Sequence, residues 1–288
     1  MRIVALSDLH TDYHENMQLV QSLSDADYLS DALIIAGDIS HDTDLFARTI
    51  QSLRPKFAHI FFVPGNHDLW LRSNAHKNSM EKFHCLQRLC EALGVLTRPA
   101  RLNGAGDASG VWIVPLHSWY EKPEESPHSL YVPKKGEDPS LRMWFDERAV
   151  KWPALQGGES PARHFLSLND THMIVGCGAP VISFSHFLPR KELMFMTAEE
   201  ISGLPVPLKD PQPKFNFSRV AGCSQLDRQI RKLGSAVHVY GHQHRNRERR
   251  IEGVRYVSHC LGYPRERTQG RVRGPAHVPR VIWDTATG

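Results

Sequence analysis

Cysteine is scarce and poorly spaced for structural use. There are five, at positions 85, 90, 177, 223 and 260, and no two form a C-x-x-C pair. An odd count without that spacing argues against a disulfide framework or a cysteine-bound zinc, and leaves buried, reduced thiols. No apolar run approaches the roughly 20 residues needed to cross a bilayer, so no membrane partner is expected. The opening Met1–Ser7 is too short for the apolar region of a signal peptide before Asp8 interrupts it. A cytoplasmic protein is expected. Charge of one sign is also lacking: 35 Lys and Arg against 31 Asp and Glu give a formal +4, too mild to imply nucleic acid by itself. No internal repeat or low-complexity tract is present.

What remains is an ordinary globular composition, 41% apolar and 23% charged, in a chain of 288 residues. That length suffices for one large domain or two small ones and for a core without staples. Histidine is the exception. Seventeen are present, and several cluster just past apolar runs.

Those runs organise the chain. Ile3–Leu6, Ala32–Ala36 and Lys56–Val63 read as buried strands, with helical spacing over Asn16–Leu29 and over Asp44–Leu53, which stops before Pro55. The β-α-β-α-β order predicts a mostly parallel sheet with right-handed crossovers, and sites in such sheets form beyond the strands' carboxyl ends. A helix is expected over Met80–Leu93. Val111–Leu116, Val181–Ser185 and Ala236–Tyr240 read as further strands, and Ser224–Leu233 as a helix. Val254–Ser258 and Val278–Trp283 read as late strands of a second sheet. From about 121 to 170 the pattern turns irregular and rich in Pro, Gly and charge, which predicts short helices and an insertion or lid. Pro205–Pro213 reads as a surface segment. No domain boundary stands out.

Five short stretches past those strands carry metal-capable side chains: Asp8-Leu9-His10, Gly37-Asp38, Gly65-Asn66-His67-Asp68, Ser185-His186 and Gly241-His242-Gln243-His244. Residues two apart on extended chain point the same way, so Asp8 and His10 can reach one ion. Each stretch alone admits a bland explanation, since Asp and Asn cap helices and shape turns after strands. Five in sequence at strand ends do not. Oxygen and nitrogen donors without thiolate suit Mn, Fe or Zn.

The series D-x-H, G-D, G-N-H-D, H, G-H-x-H resembles the calcineurin-like metallophosphoesterase superfamily, with all five motifs in order between residues 8 and 244. The resemblance implies an α/β fold of one domain over 1–288. This would be a four-layer αββα sandwich of two mixed sheets flanked by helices, with the metal site at the strands' carboxyl ends. It implies two divalent or trivalent ions, Mn, Fe or Zn. Asp8, His10, Asp38 and His244 would hold one, and Asp38, Asn66, His186 and His242 the other, with Asp38 bridging. Such a pair, roughly 3.5–4 Å apart, shares and deprotonates a water, giving a hydroxide for in-line attack on phosphorus. His67 would face the substrate and stabilise the transition state or protonate the leaving oxygen, and Asp68 would fix its tautomer.

The implied activity is hydrolysis of a phosphodiester or a small phosphomonoester. The partner would be a small-molecule or nucleotide phosphate ester, and the sequence does not define an oligomeric state. The arginines of the phosphoprotein phosphatase motifs G-D-x-V-D-R-G and R-G-N-H-E are absent, and His41 stands where purple acid phosphatases place a tyrosine ligand. A phosphoprotein phosphatase, a nuclease and a non-catalytic metal-bound scaffold are the alternatives. A nuclease would use the C-terminal arginines, Arg245, Arg247, Arg249, Arg250, Arg265, Arg267, Arg271 and Arg273. Most of these read as a solvated face. Arg265, in the cluster Tyr263-Pro264-Arg265-Glu266-Arg267, is the exception assigned to substrate. His117, with Trp119-Tyr120, is the other expected lining of the cleft, and Tyr13 and His14 are weaker candidates.

Overall fold

The computed structural model describes residues 1–72, 75–103, 110–173, 178–202, 210, 212–272, 274 and 278–286. Cys177, Arg273 and most of Pro205–Pro213 lie outside the described residues. The chain begins β1 (Arg2–Leu6), α1 (His14–Gln21), β2 (Ala32–Ile35), α2 (Thr43–Leu53), β3 (His59–Phe62) and α3 (Ser79–Ala92). The three strands pair in parallel, Ile3 opposite Ala32 and Ala32 opposite His59. A second sheet follows, from β4 (Ala100–Leu102), β5 (Val111–Pro115), β6 (Val181–Phe184), β7 (Ser235–Tyr240), β8 (Arg247–Ile251) and β9 (Val254–Ser258). Its order is β4-β5-β6-β7-β9-β8, parallel through β5, β6, β7 and β9, with an antiparallel strand on each edge.

The strands read as unbroken apolar runs because both of their faces are covered. Ile3, Ile34 and Phe61 meet Ile113, Ile182 and Val237 between the sheets. One residue along, Val4, Leu33 and Phe62 turn the other way onto Phe46 and Ile50 of α2 and Phe83 of α3. On the far side, Val114 and Tyr256 cover Leu226 and Ile230 of α7 (Ser224–Lys232). The result is the expected αββα sandwich. Because the central strands are parallel within each sheet, the loops leaving β1, β2, β3, β6 and β7 converge at one end.

Three elements differ from the sequence reading. Helix α1 ends at Gln21, where Ser22 caps it, rather than running to Leu29. The chain then turns so that the buried Lys56 ammonium can donate to the carbonyls of Gln21 and Leu23. Lys56 itself sits in a 3-10 turn, Arg54–Lys56, and β3 starts only at His59. The last strand, β10 (Arg280–Asp284), pairs antiparallel with β1 in the first sheet, not the second. Hydrophobic periodicity defines a strand's faces but not its neighbour, and β1 had an open edge to fill.

The irregular stretch carries α4 (Asp146–Ala149) and α5 (Pro161–Asn169), and it is docked. Leu71 and Ser79 donate backbone N–H groups to the carbonyls of Ala149 and Lys151 at 2.7 and 2.8 Å. Trp152 packs edge-on against Trp119 and Phe165. Two short helices complete the chain, α6 (Ala198–Ser202) and α8 (Pro264–Thr268).

Candidate metal centre

The converging loops bend sharply to turn side chains inward. Asp8, His10, Asp38, His242 and His244 all have positive φ, between 43° and 74°, and only Leu141 and Glu252 share this among the other described non-glycine residues. Left-handed backbone costs an L-residue roughly 1–3 kcal/mol and persists where the surroundings enforce it. The glycines of the motifs serve close approach. A Cβ on Gly37 (φ +83°) would lie 2.5 Å from the His186 ring, and one on Gly65 would lie 2.7 Å from it.

Side chains from all five stretches come together at this end of the sheets. Asp38 Oδ2 lies 3.5 Å from His186 Nε2, 3.8 Å from His10 Nε2 and 4.0 Å from His67 Nε2. His244 Nε2 lies 3.4 Å from Asp8 Oδ1 and 3.0 Å from His10 Nε2. Asn66 Oδ1 lies 3.2 Å from His186 Nε2. Three overlapping groups are able to hold an ion: Asp8, His10 and His244; His10, Asp38 and His67; and Asp8, Asp38 and His186. His242 stands in none of them, but its ring is 5.1 Å from that of His186.

Outer partners decide which ring nitrogen is free. His186 Nδ1 is 2.9 Å from the Ala36 carbonyl, His242 Nε2 2.9 Å from the Val220 carbonyl, and His244 Nδ1 2.5 Å from Glu266 Oε2. In each pair the ring must donate, so the other nitrogen presents a lone pair to the site. The His10 and His244 Nε2 atoms then face each other at 3.0 Å, and buried His10 Nδ1 has no partner. With no outer partner to set its tautomer, His10 either donates Nε2–H to the His244 lone pair or, protonated on Nδ1, opposes that lone pair with its own, an arrangement a cation between them satisfies.

Electrostatics agree. Burial lowers His186 and holds His10, His67 and His242 well below the usual histidine range, with the neighbouring imidazoles adding to the effect. Burial opposes the His244 cation too, but Glu266 and Asp8 outweigh it and raise that ring. Burial works against the Asp8 carboxylate, yet His244 and Ser7 hold it at about 2. Burial, then Asp68 and Asp8, raise Asp38 well above the carboxylate range. Neutral imidazoles at His10, His67, His186 and His242 around crowded carboxylates, with no thiol, make a donor set that fits divalent metal, which His244 joins by giving up its proton.

Two expectations are corrected. Asp68 does not touch the His67 ring. Its carboxylate accepts four backbone N–H groups, from Asp38 (2.8 Å), Ile39 (2.9 Å), Ser40 (3.1 Å) and Gly65 (2.8 Å), and so staples the β2 loop to the β3 loop. His67 instead stacks on Trp70, with ring centres 3.5 Å apart, and its Nε2 lies 3.2 Å from the Tyr263 hydroxyl. His117 is buried away from the centre, with its ring against Phe83 and His172. It is a core residue, because Leu116 ends the buried β5 run and the chain stays inside the fold. Trp119 and Tyr120 likewise pack on Phe187.

A cavity of about 1220 Å³ opens over the donors. Asn66, His67 and His242 lie on its floor, and Trp144, Phe215 and Phe217 make an aromatic wall. Trp144 stacks on Phe215 and meets the His242 ring edge-on at 5.8 Å. Arg245, Arg265 and Arg271 also line it, together with Glu15, Asp210 and Glu266, and so does Tyr13. Arg247 and Arg249 turn instead to Glu200, at 3.3 and 2.5 Å.

Sequence reasoning missed Glu266, Tyr263, Trp144 and Asp146. Glu266 had a signal, since it sits three residues after Tyr263 at the start of α8 and accepts the Tyr263 N–H at 2.9 Å. Asp146 had none. It projects from the irregular stretch and accepts the Asn66 amide at 2.9 Å, and burial pushes its carboxyl up to about 6 against its donors.

Residues 1–246 match the family model of the calcineurin-like phosphoesterases. The chain is 26% identical over 274 residues to the [acyl-carrier-protein] phosphodiesterase PptH of Mycobacterium tuberculosis, covering 91% of this chain and 78% of that protein. The crystal structure of the M. tuberculosis phosphopantetheinyl hydrolase PptH superposes with a TM-score of 0.75 at 23% identity, over 98% of this chain and 96% of that one, and shares its fold.

Proposed function

The chain belongs to the calcineurin-like phosphoesterase family, and on that premise we propose that it cleaves a phosphodiester joining a long, partly apolar arm to a carrier protein. It is a metal-dependent hydrolase of phosphoric esters. The observation that carries the finer reading is the cavity. At about 1220 Å³ it exceeds the roughly 300–1,000 Å³ of a small-ligand pocket, and its aromatic wall begins beside His242 while arginines also line it. An arm lies along Trp144 and Phe215, and an acidic carrier sits against Arg245, Arg265 and Arg271. A phosphopantetheinyl arm, the group named for the M. tuberculosis relative, has that character.

Asp8, His10, Asp38 and His244 would hold one ion, and Asp38, Asn66, His186 and His242 the second. When bound, such ions acidify a shared water and neutralise charge on the phosphoryl oxygens. The donor chemistry suits Mn, Fe or Zn. His67, tilted against Trp70, lines the cavity, where its neutral ring donates an N–H to the phosphoryl or leaving oxygen as charge develops there. The Tyr263 hydroxyl reaches its Nε2 and keeps the ring aimed. Arg247 and Arg249 face Glu200 rather than a polyanion, which speaks against a nuclease.

The test is a phosphopantetheinylated carrier protein offered to enzyme reloaded with Mn, Fe or Zn, with Asp38→Ala as the blank. Water adds across the bond, the carrier regains its serine hydroxyl, and the arm leaves as a phosphomonoester. Intact-mass loss of the arm is expected. Cleavage of bis(p-nitrophenyl) phosphate with the carrier left intact would overturn the carrier reading and favour a small diester.

A further inference from the structure

We infer that Asp146 is a positioning residue that sets the orientation of the Asn66 amide, and with it the affinity of the Asn66–His186 side of the centre for metal. This rests on the reading of Asn66 as a ligand given above. Asp146 is 2% exposed and belongs to α4, in the stretch that no metal motif includes. Its Oδ1 accepts from Asn66 Nδ2 at 2.9 Å and Trp70 Nε1 at 2.6 Å, and its Oδ2 from Trp144 Nε1 at 2.8 Å.

A primary amide has a donor end and an acceptor end of almost the same shape. Nothing in the Asn66 side chain itself selects which end faces His186 Nε2. The selection comes from outside, because a carboxylate accepts and never donates when ionised. With Asp146 taking the N–H, the amide oxygen is left pointing at His186 Nε2, 3.2 Å away. Were the amide reversed, two oxygens would meet at Asp146 and an NH2 group would meet the metal side. Trp70 and Trp144 fix the carboxylate in turn, and each also has a second duty: Trp70 supports the His67 ring and Trp144 walls the cavity. One buried carboxylate thus ties the amide, the His67 platform and the substrate wall to a common point.

The experiment is calorimetric titration of metal-stripped protein with Mn²⁺ alone. Wild type is expected to bind two ions. Asp146→Leu, which removes the acceptor that Asn would retain through its amide oxygen, is expected to weaken one binding event by roughly 10–100-fold and leave the other within about twofold. In an Asn66→Asp background, where two carboxylates face each other, adding Asp146→Asn, whose NH2 can donate to the new carboxylate, is expected to tighten that same event. This second comparison decides the matter should Asp146→Leu alone fail to fold. Unaltered binding, equal weakening of both events, or no gain in the Asn66→Asp background would overturn the inference. Wild type that binds no Mn²⁺ would instead remove the metal reading on which it stands.

Discussion

His67 and Asp68 are neighbours in sequence with separate work. The G-N-H-D motif invites a His–Asp couple, but a 3-10 turn over His67–Leu69 sends the two side chains apart. Asp68 goes under the loops, where it accepts four N–H groups, and His67 goes over them to Trp70. The two substitutions should therefore fail differently. His67→Ala is expected to keep both ions and full thermal stability while losing rate by roughly 10²–10⁴-fold, measured as kcat on a diester. Full activity in that variant would remove His67 from the chemistry. Asp68→Ala leaves four buried donors unpaired, and is expected to cost about 3 kcal/mol or more by urea denaturation, with metal affinity falling alongside. Loss of rate alone, at unchanged stability, would restore the His–Asp couple. At this scale the sequence was legible for the ligands, because they are side chains demanded by chemistry. The residues that steer them were not. Asp146 reaches Asn66 only through the fold, from a stretch that looks like surface, and the spacing of Glu266 from Tyr263 marks a helix start without pointing to His244.

Elements were legible where a local rule suffices. Helix α2 starts at Thr43 because Asp42 takes the N–H groups of Asp44 and Leu45, both at 2.9 Å, and it ends as the chain tightens through Pro55. Asp42→Ala is expected to lower stability by about 1 kcal/mol in denaturant unfolding and leave turnover untouched, since the β2 loop that carries Asp38 up to this cap is held separately by the Asp68 carboxylate. An effect on kcat would show that the β2 loop depends on the cap. Elements were illegible where the partner is distant. The sheet to which β10 belongs follows from the open edge of β1, and the docking of the irregular stretch follows from Trp119 and Phe83, which already look like core in any arrangement. The misplacement of His117 has the same source. A histidine after a strand looks the same in sequence whether the chain leaves the core or stays in it.

Over the whole molecule, acid should act through buried histidines, two of which lie outside the centre. Burial holds His117 at about 3, with His172 adding to it, and burial alone holds His238 at about 3 between Ser183 and Ser185. Both rings are neutral when folded and bind a proton on unfolding below their ordinary 6.5. Their contribution is full above pH 6.5 and lost as pH falls toward 3, at about 1.4 kcal/mol per pH unit for each ring. Urea midpoints of metal-free protein should fall between pH 7 and pH 5, and the fall should be shallower in His117→Phe. Equal slopes in the two proteins would mean that His117 titrates normally.

The separation of His10 and His244, 234 residues apart in sequence yet 3.0 Å apart in space, reaches back to how the chain is made. A ribosome delivers Asp8, His10, Asp38 and Asn66 with β1, β2 and β3, while His186, His242 and His244 follow only with β6 and β7. For most of translation the emerging polypeptide offers half a coordination sphere, open to whichever cation passes. Selection of the resident ion is thereby deferred until both sheets have closed, when the complete cage rather than any single motif sets the preference.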